Sequence, residues 1–444
     1  MEGLEISVVK LSEVLEDVDL RLESEYYNSE HIVFNSVQGC DIESFSQYGT
    51  SEDLNEEGKG FPILRLNEFD SFFISKPSKY CDLISKETFE LLKLKKNDVL
   101  ICRTNGNPKY VGKAAIVPKN YEYAFASYVF RLRPKTDIIN SATLVSFLNS
   151  KYGRIEIEKY SMVGNQANFS PAKFRQIAIP ILSKELNNKI EEIVYKSFEL
   201  LEESKSLYSQ AEDLLLGELG LKDWRPKNTL HTTKKFSDFA QSGRLDAEYY
   251  QPKYDEIEKE LSKKNTLEIS KIGQICDKNF SPIDNVEYKY IELADIGAYG
   301  EITGCTMAIG SELPTRARRI VRKGDVLISS IEGSLQSCAI VPKEFDNALC
   351  STGFYVMTPN KINAETLLIL LKSTVIQLLL KKGCSGTILS NISKDEFLKI
   401  KIPILPESIQ TKIASLIQQS FECKAQSKQL LEDAKRMVEE EIEK

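Results

Sequence analysis

Histidine is scarce in this sequence, cysteines never pair closely, no apolar run is long, and positive charge is not in excess. Each shortage excludes something. Only His31 and His231 are present, and the nine cysteines (40, 81, 102, 276, 305, 338, 350, 384 and 423) form no Cys-x-x-Cys pair. A zinc cluster is therefore not expected. An odd number of scattered cysteines fits reduced thiols in a reducing compartment. The longest apolar stretch, around Leu367 to Leu371, is far too short to span a bilayer, so no membrane association is expected. Met1 to Glu5 lacks a basic start followed by an apolar run, so no signal peptide is expected and the default location is the cytoplasm. No Walker loop, zincin motif or nuclease cluster appears. Any catalysis is expected to belong to partners, and no cofactor is expected in this chain.

What is present is ordinary globular material. The chain has 444 residues, 42% apolar and 28% charged, enough for two to four domains at roughly 100–200 residues each. The net charge of −7 counts against nucleic acid as a partner. Net charge, however, averages over surfaces with different jobs. Acidity concentrates in the expected helices, as in Glu439-Glu440-Glu441, while Arg316, Arg318, Arg319, Arg322 and Lys323 form a basic cluster.

The sequence repeats itself. Arg21-Leu22-Glu23-Ser24-Glu25-Tyr26-Tyr27 returns 223 residues later as Arg244-Leu245-Asp246-Ala247-Glu248-Tyr249-Tyr250. Ile179-Pro180-Ile181-Leu182 returns as Ile402-Pro403-Ile404-Leu405 at the same offset, as do Lys189-Ile190, Ser197-Phe198 and Ser204-Lys205. The offset slips in the middle of each copy. Asp98-Val99-Leu100-Ile101 matches Asp325-Val326-Leu327-Ile328 at 227, and Ala115-Ile116-Val117-Pro118 matches Ala339-Ile340-Val341-Pro342 at 224. The two copies share a framework and differ in what it carries.

Each copy begins as mixed α/β. Strands are expected at Pro62–Leu66, Val99–Arg103, Ala114–Val117 and Ala124–Leu132, and a helix at about 142–160 with its counterpart at about 364–382. A long helix closes each copy. In the first, Ile190, Val194, Ser197, Leu201, Ser204, Tyr208, Ala211 and Leu215 alternate steps of four and three, which is a coiled-coil seam. The counterparts are Ile413, Ile417, Ser420, Lys424, Ser427, Leu431, Ala434 and Val438. The small residues at 197, 204 and 211 recur unchanged, and their spacing of seven lets two backbones approach closely. Two like copies can pair about a pseudo-twofold axis, with their long helices antiparallel. A helix over 184–219 spans roughly 54 Å. Gly217-Glu218-Leu219-Gly220 is expected to end it, and Trp224-Arg225-Pro226 reads as a linker. The expected fold is α+β, a pseudo-twofold internal repeat: tandem mixed α/β domains at 1–182 and 221–405, alternating with long antiparallel coiled-coil helices at 183–220 and 406–444.

This layout resembles type I restriction-modification specificity subunits. The segment 244–250 looks like the one that opens a recognition domain in that family. Asp98-Val99-Leu100-Ile101-Cys102-Arg103-Thr104-Asn105-Gly106 with Gly112-Lys113-Ala114-Ala115-Ile116-Val117 looks like its strand-loop-strand signature. So does Gly324-Asp325-Val326-Leu327-Ile328-Ser329-Ser330-Ile331-Glu332-Gly333-Ser334 with the Ala-Ile-Val that follows. The run Ile392-Ser393-Lys394-Asp395-Glu396-Phe397 to Ile402-Pro403 is similar to its closing segment. The resemblance covers essentially the whole chain. It departs in one place: Ser330 stands where the first copy has Arg103. The resemblance implies a non-catalytic reader of double-stranded DNA, with one target-recognition domain per half of a split, asymmetric site. It further implies two methyltransferase subunits carrying S-adenosylmethionine and docked on the helices, with motor/nuclease subunits joining to restrict. The helix length matches roughly 16 base pairs. The competing reading, favoured by the net acidity, is a coiled-coil adaptor or scaffold that binds no DNA.

Candidate DNA contacts follow from that resemblance and from groove chemistry. Phosphate contacts position a protein and base-edge contacts specify sequence; Arg suits guanine and Asn suits adenine. The first loop offers Arg103, Thr104, Asn105, Asn107, Lys109, Tyr110 and Lys113. The second offers Ser329, Ser330, Glu332, Ser334 and Gln336, and Glu332 suits cytosine N4. Arg65 and Asn67 follow a strand, and Glu292 stands at the place equivalent to Arg65, so the reversal reflects either different readout or different surface pairing. Arg316, Arg318 and Arg319 are candidates for phosphate. The loops Gly164-Asn165-Gln166-Ala167-Asn168 and Gly383-Cys384-Ser385-Gly386-Thr387 read as turns. Asn107-Pro108-Lys109-Tyr110 superficially matches the Asn-Pro-Pro-Tyr motif of adenine methyltransferases, but its third position is wrong and no glycine-rich cofactor loop lies upstream. It reads as a proline turn.

Overall fold

Asn97 and Gly324 both adopt left-handed backbone, with φ of 70° and 86°, in a computed structural model that describes every residue except 1–7, 17–33, 162–166, 227, 228, 230 and 387–389, and every described side chain except those of Glu13, Leu15, Glu16 and Gln241. Asparagine and glycine are the residue types that enter this region at least cost. The aspartate that follows each one closes the turn with its own carboxylate: Asp98 accepts from the Lys95 N–H (2.9 Å) and Asp325 from the Arg322 N–H (2.8 Å). The segment Arg21–Tyr27, His31, the residues Gly164-Asn165-Gln166 and Thr387 lie outside the described residues.

The chain divides into two compact units, residues 1–202 with 424–444 and residues 203–423. This grouping differs from the chain-order segments expected from the sequence, because each long helix contributes to both units.

In the first unit, the turn at Asn97 launches the strand Val99–Cys102. It lies third in an antiparallel sheet ordered Glu43–Tyr48, Val129–Pro134, Val99–Cys102, Ala114–Ile116. Alternate residues of a strand face opposite ways. Val99 and Ile101 join a core with the helix Ser141–Leu148, while Leu100 joins a second core with Ile63, Phe89 and Phe125. A strand buried on both faces reads as a continuous apolar run, as this one does. A three-stranded sheet of Ala124–Phe125, Phe61–Leu64 and Lys79–Cys81 covers that second side.

In the second unit, the turn at Gly324 launches Val326–Ser329. The sheet order is Gly273–Ile275, Phe354–Pro359, Val326–Ser329, Cys338–Ile340, all antiparallel. Val326 and Ile328 face a core with the helix Ala364–Lys372, and Leu327 faces another with Ile291, Val321 and Phe354. A second sheet runs Thr306–Ile309, Glu287–Ile291, Leu349–Ser351, Ala317–Ile320.

Two sequence expectations need correction. The run 124–132 is not one strand. A turn in which the Val129 N–H donates to the Ala126 carbonyl (3.0 Å) divides it, and its halves enter different sheets. The helical stretch 142–160 is two helices, Ser141–Leu148 and Lys151–Tyr160. Between them the Asn149 amide is pinned to the backbone of Ala114, and Ser150 caps the next helix through the Gly153 N–H. The counterpart breaks in the same way at Ser373, which caps Thr374–Gly383.

The long helices are Lys184–Glu218 and Glu407–Ile442. Gly217 lies inside the first. Gly220, left-handed at φ 63°, ends it, with the Leu221 N–H donating to the Leu216 carbonyl at 2.8 Å. In the first unit, Ile190, Val194 and Leu201 share a core with Leu431, Ala434 and Val438, and the hydroxyls of buried Ser197 and Ser427 lie 2.9 Å apart. In the second unit, Tyr208, Ala211 and Leu215 share a core with Ile413 and Ile417, and the hydroxyls of Ser204 and Ser420 lie 3.0 Å apart. Each serine pair also reaches a carbonyl across the helices, from Ser197 to Ser427 (2.9 Å) and from Ser420 to Ser204 (2.8 Å). Serine at these positions buries no unsatisfied hydroxyl, which removes the usual cost of burying a polar group. Lys424 is only partly buried. No helix among the described residues is long and apolar enough to cross a membrane.

Candidate nucleic-acid interface

The loop that leaves Val99–Cys102 gathers most of the expected contacts of the first unit. Arg103 is fixed by its backbone, donating to the Tyr128 carbonyl (2.8 Å) and accepting from the Phe169 N–H (2.7 Å). Its guanidinium lies over the Tyr48 ring, 5.2 Å from the centroid. Thr104–Asn105 pairs with Ala167–Asn168 as a two-stranded ribbon, and the Thr104 hydroxyl donates to the Ala167 carbonyl (3.2 Å). The Asn105 side chain accepts from the Asn107 N–H, and that of Asn107 from the Lys109 N–H. Pro108–Tyr110 is a single tight helical turn. The expected proline turn is therefore what Asn107-Pro108-Lys109-Tyr110 forms. Lys113 lies over the Tyr110 ring at 5.9 Å. Asn107, Lys109 and Tyr110 are exposed. Behind the loop, burial pushes the Cys102 thiol up to about 12, so it stays protonated.

Two residues that sequence reasoning passed over complete this surface. Tyr48 and Tyr128 are 46% and 56% exposed, and Arg103 contacts both, one through its side chain and one through its backbone. They are 80 residues apart in the chain. The only sign of either in the sequence was a tyrosine in a strand-like setting.

Arg65 sits elsewhere. Its guanidinium donates to Glu68 and to Ser78, both at 3.0 Å, and Asn67 beside it is exposed. In the second unit Glu292 pairs instead with Arg316 at 3.1 Å. The two equivalent side chains therefore have different surface partners.

The second unit's loop is quieter. The Ser330 hydroxyl donates to the Gly353 carbonyl (2.9 Å), and Ser329 and Ser334 share a hydrogen bond of 2.9 Å. Gln336 exchanges bonds with Lys372, accepting on its carbonyl from Nζ at 2.7 Å. Glu332 and Ser334 line a shallow cleft with Gln377 and Lys381. The arginine cluster of the sequence does not remain a cluster of free charges. Arg316 pairs with Glu292, Arg318 donates to the Thr315 carbonyl (2.8 Å), and Arg319 turns inward to the Phe354 carbonyl. Arg318 and Arg319 are neighbours on a bulged strand, Ala317–Ile320, whose alternation separates their directions, and Arg316 immediately precedes it. Among the described residues, no group of three or more His, Cys, Asp or Glu side chains is placed to hold a metal ion.

Residues 261–436 match the sequence family described as the type I restriction modification DNA specificity domain. That span contains the second unit's central strand, its loop and most of the second long helix. Over that span the chain is similar to a type I restriction-modification DNA specificity domain. Among solved structures, it is similar to the S subunit of the type I restriction-modification system from M. genitalium, at 14% identity over 94% of this chain and 96% of that one (TM-score 0.44). It is also similar to the HsdS subunit from Thermoanaerobacter tengcongensis, at 12% identity over 92% and 96% (TM-score 0.29). A third similar chain comes from a structure of complex assembly and conformational transition in the type I R-M system, at 14% identity over 92% and 97% (TM-score 0.31). No curated protein matches the chain.

Proposed function

We propose that this chain is the specificity subunit of a type I restriction-modification system and reads a bipartite, asymmetric site in double-stranded DNA, one half with each target-recognition domain, 1–182 and 221–405. The observation that carries the proposal is an unequal pair of loops on an equal frame. Both units order their four central strands alike, and the loop from the third strand presents Arg103, Lys109, Tyr110 and Lys113 in one and Ser330, Glu332, Ser334 and Gln336 in the other. A frame held constant while its loops diverge is what two different half-sites require, because base-edge chemistry differs from one sequence to the next. The loop residues named above, with Arg65, Asn67, Arg316, Arg318 and Arg319, are the proposed DNA-contacting set.

The long helices, 183–220 and 406–444, form the spacer, packed as an antiparallel coiled coil. Near-identical seams on both suit two copies of one partner, so we assign them the docking of two methyltransferase subunits, with motor/nuclease subunits joining to restrict. S-adenosylmethionine belongs to the methyltransferase partner, and the assembly works in the cytoplasm. Mapping methylated adenines in cells with and without this chain tests the proposal. The expected result is a split motif whose methylation disappears with the chain. Unchanged methylation, together with salt-insensitive and undetectable DNA binding by the methyltransferase complex, returns the chain to a scaffold role.

A further inference from the structure

Six described arginines in the first unit are already engaged. Arg65 is held by Glu68 and Ser78, Arg131 and Arg133 by Asp98, Arg154 by the Lys109 and Val111 carbonyls, Arg175 by Glu43, and Arg436 by Asp433. Arg103 differs from all of these. Among the described residues, none accepts a hydrogen bond from its guanidinium. Its Nε is buried without a partner, while its terminal nitrogens are not enclosed in that way. The plane is nonetheless held, because the cation rests on the Tyr48 ring and the backbone on either side is fastened to Tyr128 and Phe169. A planar fork that is half-buried, supported on a ring and without an acceptor among the described residues is pre-organised for an acceptor from outside. Among base edges, the pair of acceptors that fits it is O6 and N7 of guanine in the major groove.

We propose that Arg103 is the guanine reader of the first recognition domain and that Tyr48 is its positioning residue. The second domain has no such reader at the equivalent place, where the Ser330 hydroxyl is spent on the Gly353 carbonyl. The proposal rests on the DNA-reading function above and adds a base to it: the half-site read by residues 1–182 contains a guanine contacted through N7 and O6.

The test uses the full chain in complex with its methyltransferase partner. The first half-site is the one that changes when residues 1–182 are exchanged for another such domain. Each of its guanines is replaced in turn by 7-deazaguanine, which lacks N7. Wild type is expected to lose about tenfold to a hundredfold in affinity at one position, and Arg103→Ala to lose a similar factor on unmodified DNA and become indifferent to that replacement. Arg103→Lys should recover only part, since it keeps the charge without the fork. Tyr48→Phe should retain affinity, whereas Tyr48→Ala should lose several-fold at the same position only. Three results would overturn the proposal: no deazaguanine sensitivity of wild type in that half-site, no effect of Arg103→Ala, or an equal loss on cognate and unrelated duplexes with a salt slope reduced by about one, which marks a phosphate contact. The deazaguanine arm needs no mutant and can overturn the proposal even if a variant misfolds. A wild-type complex without sequence preference would instead remove the DNA-reading function itself.

Discussion

Asp98 and Asp325 do the same backbone work in the two units and keep very different company. Each is fully buried, closes a turn through the N–H three residues earlier, and starts a strand buried on both faces. In the first unit the remaining carboxylate capacity goes to cations, Arg133 Nε at 2.5 Å and Arg131 at 3.2 Å. Arg131 is itself buried, and burial pulls its pKa below the ordinary value while Asp98 pulls the other way. It also donates to the Leu91 and Lys93 carbonyls and to Gln47. In the second unit the positions of Arg131 and Arg133 are taken by Val356 and Thr358, paired in the same register against the central strand. Thr358 supplies a hydroxyl to Asp325 at 2.5 Å, and among the described residues no cation forms an ion pair with that carboxylate. The turn therefore requires the aspartate, whereas the charge around it is optional. A backbone duty can be kept while the electrostatics of the sheet behind it are rewritten.

The broadest way to break this comparison is to exchange residues 1–182 for another recognition domain. One half-site should change completely, with affinity for the old site falling by about 10³-fold or more, down to non-specific binding. The other half-site should stay as it was. A change in both halves, read from adenine methylation, ends the modular assignment.

A smaller effect sharpens the comparison at the aspartates. Asp98→Ala leaves Arg131 buried without its carboxylate and should cost about 3–5 kcal/mol. Asp325→Ala loses only hydrogen bonds from neutral donors and should cost about 1–3 kcal/mol. Hydrogen exchange of 99–102 and 326–329 reads each unit separately, and equal losses would erase the distinction.

The helices should respond alike in both units and less strongly. Ser204→Lys places a bulky charge where two hydroxyls meet, at about 2–4 kcal/mol through overpacking and desolvation. Ser197→Lys should match it. Unchanged thermal stability and assembly in either variant would count against close helix packing at that serine.

The long helices and the mixed α/β character were legible because periodicity is a local signal repeated many times. Breaks were not. Nothing in Ala126-Ser127-Tyr128 resembles a turn, since no glycine or proline marks it, and the division arises because the flanking residues pair in different sheets. The break at Asn149 depends on a strand 35 residues earlier in the chain, through Ala114. The candidate loop could be located from the sequence, but the company of Arg103 could not. Tyr48, Tyr128 and Phe169 come from three distant segments. The arginines at 316, 318 and 319 show the converse, because proximity in sequence says little about direction along a bulged strand.

The fastening at the root of each loop bears on how such a protein changes its target over generations. The Asn97 N–H donates to the Val117 carbonyl (2.8 Å) and the Val117 N–H to the Asp98 carbonyl (2.9 Å), and in the second unit Gly324 donates to Val341 and Val341 to Asp325, both at 2.9 Å. Main-chain bonds do not register which side chains follow. Mutations from 103 or 330 onward can thus accumulate without passing through an unfolded ancestor, so new specificity is available to selection at little risk to the scaffold.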